Sequence, residues 1–337
     1  MEGVYLLHHM HACNIMLLSV NILGGEKMPG FLHSERVVYI LLTATAILWG
    51  GNAVTAKYTV GELSPITTAF FRFAWVSIIL IGVTLYIEGK KALPTVRQLP
   101  WLLALGMTGI FFNNFLFFTG VKYSTAANAS LLAAANPVIT AVLSALFLHE
   151  GLQLRQVIGI ALSFVGVGIV VTKGSWQVLS SLSFNYGDLL LAAAPVSWSV
   201  YSIIGRKAMR EMSALKATAW SSLVGAFALL AMAVREGYHG AIHLSLLGWV
   251  NMVYMIIGSG VLAFYWWNQG VAVIGPSRAT IFTNLIPLFG MGFAAFFLHE
   301  RLAWPQLLGA AMILAGVWLT TQAGAIAGRL VEVDNET

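Results

Sequence analysis

Two aromatic–polar pairs recur in this chain at helical spacing, each set in an otherwise apolar run. Trp49, Asn52, Ala53 and Ala56 follow an i, i+3, i+4, i+7 pattern, which puts them on one face of a helix. Trp198, Tyr201, Ser202 and Gly205 repeat the pattern later in the chain. A ring that can stack, beside a group that can hydrogen-bond, is the chemistry of a small-molecule pocket rather than of a reaction. A second set is Thr280, Thr283, Asn284 and Pro287, again one helix face. Ser130, Ala133, Ala134 and Pro137 stand at equivalent places, with Asn128 and Asn136 close by. A proline inside a helix frees the carbonyl four residues earlier, which would open a polar spot there. A third set is Asn113 and Asn114 with Trp266, Trp267, Asn268 and Gln269; adjacent residues point apart, so only one of the two indoles can face a site.

Arg72 is a charge well inside an apolar run. Such a residue costs about 2.5–3.5 kcal/mol on insertion scales, so it must meet backbone carbonyls, water or an anion. Each candidate also has a plainer reading. The tryptophans can fill space or sit in an interfacial belt, and the amides can join helix to helix at about 1 kcal/mol each. Arg72 can cap carbonyls, and Lys57 at a span end can simply set topology. Glu150 and Glu300, each following a histidine, look like symmetric structural caps rather than proton carriers.

The surroundings decide what kind of element holds these residues. Hydrophobic residues make up 58% of the chain and charged ones 9%, against about 25% charged in a soluble domain. So few charges cannot cover an aqueous surface, and the solvent is lipid. A helix needs about 20 apolar residues to cross it. Ten spans are expected near 37–57, 65–87, 99–119, 125–147, 155–173, 187–208, 214–235, 246–270, 277–298 and 305–323. No ten-residue alternating strands appear, so the backbone is satisfied helix by helix. Met1 to about Gly30 has a short apolar run and several histidines, and reads as an over-extended gene start with Met28 as initiator. The excess of 18 Lys+Arg over 13 Asp+Glu reflects basic cytoplasmic loops, not a nucleic-acid groove. With the N-terminus inside, that side collects Arg36, Lys90, Lys91, Arg97, Arg155, Lys207, Lys216 and others. The outer side gets Lys57, Lys122, Lys173, Arg235 and Arg301, which places both termini in the cytoplasm. Cys13 alone allows neither a disulfide framework nor a thiolate metal site.

The chain is also one unit written twice. Gly120-Val121, Pro137, Phe147-Leu148-His149-Glu150, Gln156, Gly159 and Gly166-Val167 return as Gly270-Val271, Pro287, Phe297-Leu298-His299-Glu300, Gln306, Gly309 and Gly316-Val317. Five spans per unit is an odd number, so the second must enter the membrane upside down, as in transporters whose site lies between inverted repeats. The expected division is an extension over 1–35, repeats over 36–174 and 184–323, and a tail over 324–337. The copies differ: Arg72 aligns near Ser221, and Asn136 faces Ile286. Small residues in spans five and ten suit a scaffold or a dimer surface.

With these residues in view, the chain resembles the drug/metabolite transporter superfamily, in its EamA-type ten-helix branch. The resemblance rests on Trp49-Gly50-Gly51-Asn52 with Lys57, on Ser64-Pro65 with Phe70-Phe71-Arg72-Phe73-Ala74, and on the duplicated Pro-to-Glu box. It covers roughly Arg36 to Ala323 and implies an inner-membrane permease, commonly an exporter of metabolites or amino-acid-like compounds. The fold class expected is therefore all-α membrane protein, ten transmembrane helices as two inverted five-helix repeats. The substrate-binding residues expected are Trp49, Asn52, Arg72, Asn113, Asn128, Asn136, Trp198, Tyr201, Trp267, Thr283 and Asn284. Expected partners are a small-molecule substrate, the bilayer and, left open, a coupling proton; the chain works as a monomer or homodimer, with no cofactor, metal or nucleic acid. No phosphate-cradling loop is present, and no Asp or Glu stands in mid-span, so an exchanger or facilitator is as open as a proton-driven carrier. Glu62 or Asp188 at a span end remains available to a proton path. The rivals are a polytopic membrane enzyme, for which catalytic material is scarce, and a non-transporting receptor or assembly subunit.

Overall fold

A computed structural model of the chain describes residues 35–133, 135–136, 138–139, 142–143, 146, 154–177, 184–209, 211–238, 240, 242–274, 282–283, 285–316 and 318–319. The first segment with Cys13 and Met28 lies outside the described residues, as do Pro137, Glu150, Thr280, Asn284 and the tail.

Every regular element among the described residues is a helix. Helix α1 spans Glu35–Glu62 and α2 Pro65–Glu88. Helix α3 is composite: Leu99–Leu105, a π-helical segment Gly106–Phe112, then Asn113–Tyr123. Helix α4 is described over Ala126–Ala133 and α5 over Leu154–Thr172. Helices α6 and α7 are Tyr186–Ala208 and Ala214–Arg235. Helix α8 repeats the composite form, with Leu246–Val253, a π segment Tyr254–Leu262, and Ala263–Ile274. Helix α9 is Ile286–Phe297 and α10 is Trp304–Gly316. Among the described residues, six helices are long and apolar enough to cross a membrane, and α9, α10 and the core of α5 are shorter apolar helices.

Helix starts follow from local chemistry. Ser64 accepts from the Thr67 N–H with Pro65 just inside, while Ser213 and Ser245 do the same for α7 and α8. Both repeats break a helix at mid-depth. Ala135 and Leu285 are turn residues at equivalent places, and Leu285 N donates to Phe282 O at 3.1 Å just before α9 begins at Ile286. Pro287 in the first turn of α9 explains the restart, since it has no N–H to continue the preceding ladder.

The packing exchanges helices between repeats. Helix α1 lies against α8 and α9, as α6 lies against α3 and α4; α2 runs along α7, and α4 meets α9. Replacing each helix by its counterpart in the other repeat returns the same set, so a two-fold relation joins the halves. Helices α5 and α10 pack through their small residues. A Cβ on Gly166 would sit 2.8 Å from the Gly309 carbonyl, and Ser163 Oγ donates to Ile313 O at 3.3 Å. These faces are covered within the chain, as a scaffold pair needs.

Polar links at the helix ends sort them onto two faces. On one, Tyr58 Oη donates to Phe297 O at 3.0 Å and Glu62 accepts from Ser245 N at 2.7 Å, joining the ends of α1 and α9 with the start of α8. On the other, Lys216 Nζ donates to Lys91 O and Trp220 Nε1 to Ala92 O, each at 2.8 Å, while Gln98 Nε2 donates to Glu211 O at 2.7 Å. Helix α1 thus ends on the face where α6 begins. The repeats are inverted.

Candidate functional site

The two recurrent aromatic pairs meet. Trp49 and Trp198, each near the middle of its helix, contact edge to face with centroids 6.3 Å apart. Trp267 lies 5.5 Å from Trp49, and Phe264 lies 5.7 Å from Trp49 and 6.1 Å from Trp198. Tyr201 adds a ring 5.2 Å from Trp198. Trp49, Trp198, Tyr201 and Trp267 are all half-buried, so this mid-depth cluster of α1, α6 and α8 keeps accessible surface. Pairs at these separations are worth about 0.5–1.5 kcal/mol each beyond area burial. Trp267 also packs on Val38 and Leu42 towards the start of α1.

Beside the cluster lies the π segment of α8. A π segment pairs its backbone i→i+5, and the wider turn leaves its carbonyls open to a second donor. Arg72 supplies it. Its Nε donates to Met255 O at 3.1 Å, and its Nη2 to Ser259 O at 3.3 Å and to Ser259 Oγ at 3.1 Å. Trp49 Nε1 donates to the same Ser259 O at 3.1 Å, and Ser259 Oγ donates to Asn52 Oδ1 at 2.8 Å. The guanidinium is buried and lies over the Phe73 ring at 5.0 Å. Arg72, Asn52 and Trp49 are therefore one network around Ser259, tying α1 and α2 to α8. Tyr254 donates from Oη to Leu48 O at 2.9 Å against Gly51, where no Cβ would fit.

The π segment of α3 is held differently. Asn114 Nδ2 donates to Ile110 O at 2.8 Å, and Ser197 Oγ of α6 to Thr108 O at 2.7 Å. Asn113 Nδ2 donates to Ala194 O at 3.1 Å, next to Pro195. Tyr201 lies directly on Gly109.

The remaining expected residues scatter. Asn128 is buried at the end of the bundle near Asp188, away from the aromatic cluster. Asn136 accepts from Ser199 Oγ on its backbone carbonyl at 3.4 Å, and Thr283 is half-buried ahead of α9. Asn284 lies outside the described residues. An apolar cavity of about 130 Å³ between α4, α5 and α6, walled by Leu132, Val138, Phe164 and Val167, lies off this site. Sequence reasoning missed Ser259 and Phe264; the one signal was a hydroxyl between glycines, Gly258-Ser259-Gly260, inside an apolar span.

Glu300 and Lys57 act as helix caps. Glu300 accepts from the Ala126 and Ala127 N–H groups, each at 3.0 Å, at the start of α4. Lys57 Nζ donates to Val121 O at 2.8 Å and to Ser124 O at the end of α3. An anion at a helix start and a cation at a helix end are both favoured by the backbone dipoles.

Inverted repeats around a mid-depth aromatic cluster define a multi-pass membrane protein of the secondary-transporter architecture. The sequence matches the EamA-like transporter family over residues 36–172 and again over 185–322, and the chain belongs to that family. Among its relatives, the uncharacterized transporter YyaM of Bacillus subtilis (strain 168) is 32% identical over 83% of this chain and 92% of its own length. Probable amino-acid metabolite efflux pumps of Salmonella typhimurium (strain LT2) and Escherichia coli (strain K12) are 27% and 26% identical, over 83% of this chain and 93% of each pump. A solved crystal structure matches with a TM-score of 0.60 at 20% identity, covering 86% of this chain and 99% of that one, a likeness of fold. The chain is a membrane transporter.

Proposed function

We propose that this transporter exports a small metabolite of amino-acid-like or drug-like character by alternating access, from a cytoplasmic membrane in which both termini face the cytoplasm. The observation that carries the reading is the half-buried cluster of Trp49, Trp198, Tyr201 and Trp267 at mid-helix, where the two repeats meet. A site at the joint between inverted repeats is reached from one side or the other as the repeats rock. Stacking faces with few free charges suit a flat or apolar body, and backbone carbonyls and hydroxyls nearby suit its polar end. The family resemblance and the named efflux pumps among the relatives support export and the substrate class. The repeats would occupy 36–174 and 184–323, with 1–35 an extension and 324–337 a cytoplasmic tail.

Metabolite profiling of an overexpressing strain against a deletion strain identifies the substrate. With it in hand, Trp49→Ala and Asn284→Ala are expected to cut flux about tenfold or more, the equivalent of about 1.4 kcal/mol of lost binding. The amount of folded protein in the membrane should stay unchanged. Normal flux in both variants at normal abundance would remove the site assignment.

A further inference from the structure

One turn of the bundle takes its helix caps from the far side of the joint between the repeats. Helix α1 packs with α8 and α9, and α6 packs with α3 and α4, so the aromatic site lies between two groups of helices. The α3–α4 turn, Ser124 and Thr125, belongs to the second group. Asp188 of α6 holds it there, accepting from Ser124 Oγ and from Asn128 Nδ2. The first group reaches across. Lys57 of α1 donates from Nζ to Val121 O at 2.8 Å, to Lys122 O at 3.4 Å and to Ser124 O, which caps the end of α3. Glu300, just past α9, accepts from the Ala126 and Ala127 N–H groups, one on each carboxylate oxygen at 3.0 Å, which caps the start of α4. Gln306 of α10 adds a neutral bond to Asn128 Oδ1 at 2.6 Å. Caps commonly come from residues next to the helix in the chain. Here a cation and an anion arrive from two helices of the opposite group.

Between this clasp and the aromatic site the joint is packed. Ala53 and Ala56, on the Trp49 face of α1, are buried, as are Leu191 and Ala194 on the stretch of α6 between Asp188 and Trp198. A solute at the tryptophans leaves at this end only when the two groups of helices separate, and separation breaks the bonds from Lys57 and Glu300 to the turn. Such charge-assisted bonds are roughly twice as strong as neutral ones. The water that enters on opening hydrates both charges and the backbone groups they release, which offsets much of that loss. Strong bonds when dry and hydration when wet are what a reversible closure requires.

Resting on the alternating-access reading, we propose that Lys57 and Glu300 form the latch that shuts this end over the aromatic site, and that release of the α3–α4 turn from both is the step that opens it. Removing either charge leaves its backbone partners dry while the end is shut and hydrated once it opens, so the equilibrium moves towards opening. Lys57→Met takes a charged donor from the carbonyls at the end of α3 and has the larger effect. Glu300→Gln keeps one neutral acceptor at the start of α4 and has the smaller.

The test needs no substrate. In a Cys13→Ser background, spin labels at Gly61→Cys and Tyr123→Cys report the distance between the ends of α1 and α3, with the full chain in lipid nanodiscs. Position 61 has open space for a side chain, and Tyr123 is 52% exposed. The ratio of longer to shorter distances should rise about tenfold in Lys57→Met and about threefold in Glu300→Gln, as loss of a charged and of a weakened bond implies. It should stay at the parent level in Lys173→Gln, which removes an exposed cation outside the clasp. Unchanged distances in both latch variants, or an equal rise in Lys173→Gln, overturn the proposal. If Lys57→Met fails to reach the membrane, Glu300→Gln alone decides. A membrane-impermeant maleimide on Trp198→Cys separates the two readings. Labelling from this face, with distances that neither latch variant moves, sinks the latch alone; distances that lengthen while that cysteine stays unreached from this face sink alternating access.

Discussion

The π segments of α3 and α8 are the same backbone departure made twice, and they are stabilised by different chemistry. In α3 the carbonyls of the segment take a second, neutral donor, Asn114 from the same helix on Ile110 O and Ser197 from α6 on Thr108 O, beside the Asn113 N–H. In α8 they are taken by a guanidinium from α2 and an indole from α1, through Ser259. Duplication fixed the shape; divergence changed what holds it. The consequence reaches the site, because the carbonyl that Arg72 binds is the one that orients Trp49. One wall of the aromatic cluster is thereby fixed by a buried cation, while the opposite wall rests Tyr201 on Gly109 with no charge.

Breaking the α8 arrangement should have the larger effect. Arg72→Ala takes the charged donor from Met255 O, leaving the Ser259 hydroxyl 3.3 Å away, and removes one of the two side-chain donors on Ser259 O, at a cost of about 1.5–3 kcal/mol for bonds from a charged group. A lowered melting temperature and about a tenfold or greater loss of flux are expected together. Arg72→Lys should not restore them, since a point charge cannot serve two carbonyls as a planar fork does. Full recovery by lysine would mean that the charge alone matters, and would move Arg72 back towards an anion-binding role. The α3 side should be softer. Asn114→Ala still leaves Ile110 O a backbone bond from the Asn113 N–H, so a loss of about 1 kcal/mol in stability is expected, with flux changed less than in Arg72→Ala. Equal losses in the two variants, measured by thermal unfolding and transport in parallel, would erase the distinction between the halves.

The architecture was legible because lipid leaves few options. Apolar runs of spanning length forced helices, and the gapless duplication with an odd number of spans forced inversion. Trp49, Trp198 and Tyr201 were legible as a group because the i, i+3 spacing sits in both repeats; Trp267 stood in a separate set, and only the packing of α8 on α1 brings it to them. Arg72 was legible as a residue needing partners, but which partners depended on the π segment of α8, which leaves no clear mark in hydropathy. Ser259 was missed for that reason. Asn128 carries the same residue type as Asn52, and only the helix contacts separate an amide at the end of the bundle from one at its middle.

The central claim is that the aromatic cluster lines a site reached alternately from the two aqueous phases. Trp198→Cys in the Cys13→Ser background, probed with a membrane-impermeant maleimide added to either side of oriented vesicles, tests it most directly. The account predicts labelling from both sides, with saturating substrate slowing it on each. A cysteine that neither phase reaches, under conditions where the protein still transports, would contradict it.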